Sequence, residues 1–426
     1  MPKRISPQLC ARCKGYKRLC GLPYCPILAR FRAQVQAVSR IPSPSDVLGS
    51  TPPSIVVGEA NYPRIPVIYQ IPPGISGAEA KIYDNPPGWH QAHLPLGEII
   101  ELRSQLLGAV TRIEASNPWK LYEKEISLAA TSLKPVDSEA VLEKPPIPSL
   151  RFDGLLAPQG PSAPAKDLRI SENPTLHPRL EKLIWDDATA TDAVLELYGS
   201  GLDTYLITRA FSMGLLGRLR NRRLVPTRWA ITAVDQIISS KLLHRVRTYR
   251  SIDDIEVYHA SYLGNYFTII LLPGGFEAEL FEIWHPLTPW TKQSLEPVAY
   301  RIREYHSLKM NPLDGGYMAI RLALAEHLYR RKRQAKAIII REITREYFAP
   351  VGNWHIRETS RKALSQKPFR TQSLEEAIRY ASRFFKSATA LDSLQSSTIL
   401  KSYEKTKRLD YFPKENPVAR LHLTLY

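Results

Sequence analysis

The four cysteines of the chain fall within sixteen residues, in the string CARCKGYKRLCGLPYCPI, at Cys10, Cys13, Cys20 and Cys25. The C-x2-C-x6-C-x4-C spacing suits four thiolates converging on one ion, because a Cys-x-x-Cys step chelates without backbone strain and a second pair closes a tetrahedron. With all four positions filled by protein, no place is left for a reacting water, so the expected ion is a structural Zn2+. An iron–sulfur cluster or disulfides would draw on the same residues. Gly15 and Gly21 follow Cys13 and Cys20 closely, where a turn aiming amides at sulfur uses conformations that glycine adopts freely. Lys14, Lys17 and Arg18 can meet phosphates or simply offset the thiolate charge.

Four carboxylates are candidates for a Mg2+ site: Asp235, placed at a strand end, Glu277 and Glu279, two apart on another strand, and Asp314 before Gly315-Gly316. Surface pairs and ordinary turns account for each equally well. The densest polar stretch is Tyr347–Leu364 (YFAPVGNWHIRETSRKAL), where Asn353 is expected to cap a helix projecting His355, Glu358 and Arg361, with Arg357 alongside. Such a helix start flanked by arginine is a ready anion pocket. His355 and Glu358 could act as an acid–base pair, although neighbours three apart on a helix are commonly just hydrogen-bonded. G-x-G-x-x-G and G-x-x-x-x-G-K-[ST] are both absent, which leaves nucleotide hydrolysis by the common architectures unsupported.

The 426 residues carry 58 Lys plus Arg against 41 Asp plus Glu, a formal charge of +17, which points to a polyanionic partner. The excess is local: ten of those cations lie between Arg209 and Arg250, with Asp235 the one acid among them. Arg218, Arg220, Arg222 and Arg223 sit in a turn-like segment ahead of a strand, where guanidinium groups can splay toward phosphates, with Arg228 close behind. A second run, Arg330, Arg331, Lys332 and Arg333, ends a helix and could as well complement its dipole. Trp229, Tyr249, Tyr347, Phe348 and Trp354 could stack on bases, yet aromatics at such spacing more often belong to a core.

Composition, 44% hydrophobic, describes a folded protein, and its length allows two or three domains. The longest apolar runs, such as Tyr266–Phe276, are broken by Pro273-Gly274-Gly275, so no membrane span is expected. The first residues lack the apolar run of a secretory signal, which implies an intracellular, cytoplasmic protein.

Of 35 prolines, 25 fall in residues 1–178, making that part loop-rich. A helix is expected over Ile27–Ser39, strands over Ser54–Gly58 and Pro66–Tyr69, and an amphipathic helix over Leu96–Leu107. Pro145–Ala165 reads as a crossing loop, and Thr189–Gly217 returns to helical spacing. Leu224–Val234, Asp254–Tyr262, Asn265–Leu272 and Phe276–Trp284 have the β-branched and aromatic content of strands in an antiparallel meander. Gly316–Arg331 and Glu375–Phe385 read as helices around a strand at Ala335–Ile340. The fold class is therefore α+β: a four-cysteine module on a mixed, largely antiparallel sheet-plus-helix body.

The cysteine string, followed by GSTPPSIVVGEANYPRI, RRLVPTRWAITAVD and YFAPVGNWHIRE, resembles the archaeal Nre family of DNA repair proteins, and the likeness runs through most of the chain. The resemblance implies an amino-terminal zinc finger on Cys10, Cys13, Cys20 and Cys25 (residues 1–30), an N-terminal-type domain (31–300), a C-terminal-type domain (301–395) and a tail (396–426). It also implies a tail motif that docks on the replication sliding clamp (PCNA). Leu409 and Phe412, three apart around Tyr411, would share one face of a 3-10 turn, as insertion into an apolar pocket requires. Thr406 stands where the motif has Gln, and Pro413 replaces a second aromatic. Ser397, Leu400 and Tyr403 offer another register.

Three function classes follow: a DNA repair factor that binds DNA and is recruited by the clamp, a metal-dependent nuclease or other nucleic-acid-processing enzyme, and an RNA- or ribosome-associated zinc protein.

Overall fold

Two six-stranded sheets carry the chain, whose computed structural model describes residues 7–22, 24–150, 158–286, 288, 291, 294–305 and 314–410, with residues 7 and 406–410 as backbone only. The first sheet holds β1 (Asp46–Thr51), β2 (Ile55–Val57), β3 (Arg64–Ile71), β4 (Leu107–Glu114), β5 (Val136–Leu142) and β6 (Ser162–Ile170), in the order β1-β5-β6-β4-β3-β2. The second holds β7 (Ile255–Tyr262), β8 (Asn265–Leu272), β9 (Glu277–Trp284), β10 (Val298–Glu304), β11 (Lys336–Ile343) and β12 (Phe369–Thr371), in the order β10-β9-β11-β8-β7-β12. Each has one parallel pair, β4 with β6 and β9 with β11, in an otherwise antiparallel ladder. The fold is α+β with mixed sheets.

The helices are α1 (Pro7–Cys13), α2 (Pro26–Ser39), α3 (Pro86–Gln91), α4 (Leu96–Ser104), α5 (Trp119–Tyr122), α6 (Ile126–Ala130), α7 (Pro178–Trp185), α8 (Ala190–Gly199), α9 (Thr204–Ser212) and α10 (Thr227–Val246). After the second sheet begins come α11 (Gly315–Arg331), α12 (Trp354–Ser365), α13 (Leu374–Ser382), α14 (Ala388–Ser396) and α15 (Thr398–Asp410).

One expectation is overturned: Leu224–Val234 is no strand. From Thr227 the chain forms the 20-residue α10, whose buried residues Ala230, Val234, Asp235, Ile238, Ser239, Leu242, Leu243 and Val246 recur at helical spacing. β-Branched content over a short window suggests a strand, but the 3.6-residue period, visible only over the longer stretch, governs. The antiparallel meander is corrected too. β7 and β8 form a hairpin through Leu263-Gly264, both at positive φ, yet β11 pairs between β8 and β9. Its sequence KAIIIREI is buried along nearly its whole length, as an interior strand covered on both faces requires.

Alternation sorts the second sheet's side chains. Phe267, Ile269, Leu271, Leu280, Ala337 and Ile339 join a core shared with α10, α11 and the first sheet. Ile270, Leu272, Phe281, Ile283, Ile338 and Ile340 pack on the other side with Ala377, Leu394 and Leu400 of α13–α15. A third cluster joins Trp89 of α3 and Ile99 of α4 to Tyr347, Phe348 and Trp354, and Leu22 packs onto it. The ring of Tyr24 meets Phe348 edge-on at 6.0 Å, which docks the cysteine segment on the body.

Candidate nucleic-acid interface

The basic loop between α9 and α10 is built around one arginine that does not face solvent. Arg222 is buried and donates from Nε to Gly217 O at 2.7 Å, and from Nη2 to Leu183 O at 3.1 Å and Asp186 O at 2.9 Å, while Nη1 reaches Ile184 O. Leu183, Ile184 and Asp186 close the C-terminal end of α7, where unsatisfied acceptors and the negative end of the helix dipole favour a cation, while Gly217 belongs to the loop itself. Burial lowers its guanidinium from the ordinary arginine value, and the nearby Asp187 and Asp186 oppose that shift. The amide of Leu219 donates to Asp187 Oδ1 at 2.8 Å and pins the loop a second time. Expected as a phosphate contact, Arg222 is instead the anchor.

Held this way, Arg218, Arg220 and Arg223 are exposed and form no ion pair among the described residues. Arg228, at the start of α10, is exposed with Glu59 3.7 Å away, a surface pair worth little. At the same place Trp185, the last residue of α7, is 62% exposed; its ring stacks on Trp119 at 6.0 Å and 21°, and the Arg222 guanidinium lies over Trp119 at 5.6 Å. Among the stacking candidates read from sequence, Trp229 is exposed, but Tyr347, Phe348 and Trp354 are core. Trp185 had no sequence signal beyond ending an amphipathic helix; only its neighbours in space single it out.

Cys10 and Cys13 lie one turn apart on α1, and Cys25 immediately precedes α2, whose Pro26 opens the helix. Gly15 and Gly21 take positive φ, as do Lys14 and Arg18. No disulfide joins the four cysteines, and all of them line one cavity of about 20 Å³. They are not drawn into a coordination set: among the described residues no group of three or more His, Cys, Asp or Glu side chains is arranged to hold a metal. Four cysteines around one ion-sized space match the donor chemistry of Zn2+, but the sulfurs would have to close on it.

The four Mg2+ candidates are not brought together. Asp235 sits mid-helix in α10, fully buried, and Arg357 Nη2 donates to its two carboxylate oxygens at 2.7 and 2.6 Å. Glu277 pairs with Lys336 Nζ at 2.7 Å. Glu279 is buried against Arg301, Tyr305 and Ser397, and Asp314 caps α11 by accepting from Tyr317 N at 2.7 Å. Arg357, expected to meet phosphate, is therefore a core ion-pair partner. In the second basic run, Arg331 forks onto Glu256.

Helix α12 begins after Asn353 as expected, although the Asn353 side chain makes no cap. His355 is buried and shares a 3.2 Å hydrogen bond with Tyr347 Oη; burial pushes its imidazole well below the ordinary value, so it is neutral. Glu358 points elsewhere, its Oε1 accepting from Tyr205 Oη at 2.8 Å and Arg361 Nη1 at 2.9 Å. His355 and Glu358 thus belong to different networks. Arg361 also forks onto Glu326 of α11 at 2.8 and 2.7 Å, and Tyr198 Oη donates to Glu326 at 3.0 Å. These charges floor a cleft of about 780 Å³ whose opposite wall carries His90 and His93, two residues the sequence reading passed over.

In the tail, α15 keeps α-helical backbone through Leu409 to Asp410, where a single 3-10 turn was expected; Tyr411 and Phe412 lie outside the described residues. The alternative register is packed: Leu400 and Tyr403 are core, and Ser397 bonds Glu279. Among the described residues no helix is long and apolar enough to cross a membrane.

No solved structure matches the chain. The chain is 36% identical to DNA repair protein NreA of Archaeoglobus fulgidus over 384 residues, covering 88% of this chain and 93% of that protein. It is 35% identical to NreB of the same organism, covering 88% and 92%, and 32% identical to NreA of Haloferax volcanii, covering 82% and 84%. The family descriptions "Archaeal Nre, N-terminal" and "Archaeal Nre, C-terminal" match residues 19–291 and 303–412, and the chain belongs to the archaeal Nre family.

Proposed function

We propose that this protein is an intracellular DNA repair factor that binds DNA through Arg218, Arg220 and Arg223, with Trp185 as a stacking platform. The observation that carries this reading is the Arg222 anchor, which leaves three guanidinium groups exposed beside an exposed indole. Arginines position the phosphates while the indole accepts an unstacked base, a combination that favours single-stranded segments. The relatives named as DNA repair proteins support the same reading. A structural Zn2+ on Cys10, Cys13, Cys20 and Cys25 would hold the amino-terminal module, and the tail around Leu409, Tyr411 and Phe412 would recruit the sliding clamp, raising local concentration on replicating DNA. The body then divides into N- and C-terminal parts near residue 300, whose strands complete one sheet.

Fluorescence anisotropy of labelled single-stranded and duplex DNA over a salt series tests it. The triple variant Arg218→Ala/Arg220→Ala/Arg223→Ala is expected to weaken binding and flatten the log–log salt slope by about 2 to 3. Unchanged affinity in that variant would overturn the assignment. Cleavage of the DNA with Mg2+ present would instead favour the nuclease reading.

A further inference from the structure

We propose that the cleft between α3, α11 and α12 binds a nucleoside 5′-phosphate, free or at the end of a strand. The site is independent of the DNA-binding loop.

The cleft is made by matching helical faces. Glu326, Tyr329 and Arg330 stand at i, i+3 and i+4 on α11; Glu358, Arg361 and Lys362 repeat that spacing on α12, so both helices turn a polar stripe to one space. Its volume, about 780 Å³, lies in the range of small-molecule sites. Polarity is layered. At the floor, the Arg361 guanidinium is committed to Glu326 and Glu358, and both hydrogen bonds to Glu358 use Oε1, leaving Oε2 without a protein donor among the described residues. At the rim, Arg330 and Lys362 are exposed cations.

Across the cleft, His90 is 91% buried, yet its ring nitrogens have no hydrogen-bond partner among the described residues; its ring rests edge-on against Tyr262 at 4.8 Å. These nitrogens are not among the fully enclosed unsatisfied groups, so they keep contact with the water of the cleft and are open to a ligand atom there. Burial lowers its pKa, opposed by the charge of Glu358, so it presents one donor and one acceptor. His93 holds φ +53, a conformation uncommon outside glycine, and lines the same wall.

One ligand class satisfies all of these. A phosphate meets Arg330 and Lys362; a ribose hydroxyl or exocyclic amine donates to Glu358 Oε2; His90 pairs with a sugar or base heteroatom; and the exposed rings of His93 and Tyr329 offer faces to a base.

Titration calorimetry on the full-length protein tests the site with adenosine 5′-monophosphate, guanosine 5′-monophosphate, adenosine, inorganic phosphate and a 5′-phosphorylated single-stranded oligonucleotide. Saturable binding of a monophosphate is expected, at least tenfold tighter than adenosine or phosphate and weakened at least fivefold by both Lys362→Ala and Glu358→Gln. Binding of the phosphorylated oligonucleotide that Lys362→Ala weakens, while the Arg218→Ala/Arg220→Ala/Arg223→Ala variant retains monophosphate binding, assigns the strand end as the source. Lys362 is exposed, so its variant keeps the fold, and a ligand-dependent shift of the His90 imidazole in 1H–15N spectra reads the site directly. Absence of saturable binding by both monophosphates and the oligonucleotide, or binding unchanged in both variants, would overturn the proposal.

Discussion

Arg357 of α12 donates to both carboxylate oxygens of Asp235 of α10, with the two side chains essentially out of solvent. Burial holds the Asp235 carboxyl above its ordinary range, and Arg357, whose ring-facing side lies over Tyr205 at 5.1 Å, is the charge that opposes that shift. The pair ties the helix that follows the basic loop to the helix that floors the cleft.

Arg357→Met leaves a buried carboxylate alone and should cost roughly 3–5 kcal/mol in urea unfolding, whereas the double variant Asp235→Leu/Arg357→Met should recover most of that loss. Equal destabilisation of single and double variants would show that packing, rather than the pair, sets the cost.

Arg222→Lys replaces a planar fork by a point charge and cannot reach four carbonyls at once. Its expected signature is faster amide exchange over residues 217–223 together with weaker DNA binding, although Arg222 touches no DNA in the proposed mode. Loss of binding without loosening of the loop would restore Arg222 as a direct phosphate contact.

Trp185→Ala should weaken single-stranded DNA binding by roughly 1–3 kcal/mol while duplex affinity changes less. Equal losses on both polymers would rule out base stacking as its role.

His327 is buried beside Tyr258 and Arg331, and burial, reinforced by the Arg331 charge, lowers its pKa from 6.5 to about 4. The unfolded chain therefore takes up this proton at a higher pH than the native one. The resulting stability is complete above pH 6.5 and is lost as pH falls toward 4, with no further loss below, an effect of about 3 kcal/mol. His327→Gln should lose less stability than the parent between pH 7 and 4 in urea titrations, by that difference; parallel curves would contradict it.

Elemental analysis of protein purified without added metal should return one zinc per chain, and Cys13→Ser should lower both the zinc content and the melting temperature. A fully folded, metal-free parent protein would remove the zinc assignment.

The amino-acid sequence by itself determined what is local. The cysteine cluster, β7, β8 and β9, α2, α11 and the concentration of charge all follow from spacing and composition, because period and turn chemistry act over a few residues, and the family was legible in the resemblance of four sequence strings. Tertiary structure alone decided which charges are free. Arg222 and Arg220 are two residues apart in the same run, yet one is sealed under the end of α7 and the other is bare. Asp235 and Arg357 are 122 residues apart, and their pairing withdraws both from any reaction with solvent. His90 and Glu358 line one cleft only because α3 packs against α12, and β11 separates β8 from β9 because an uninterrupted apolar strand is most stable with neighbours on both sides. Burial and pairing are non-local, so residue type shows which groups could do chemistry, and packing determines which of them remain available for it.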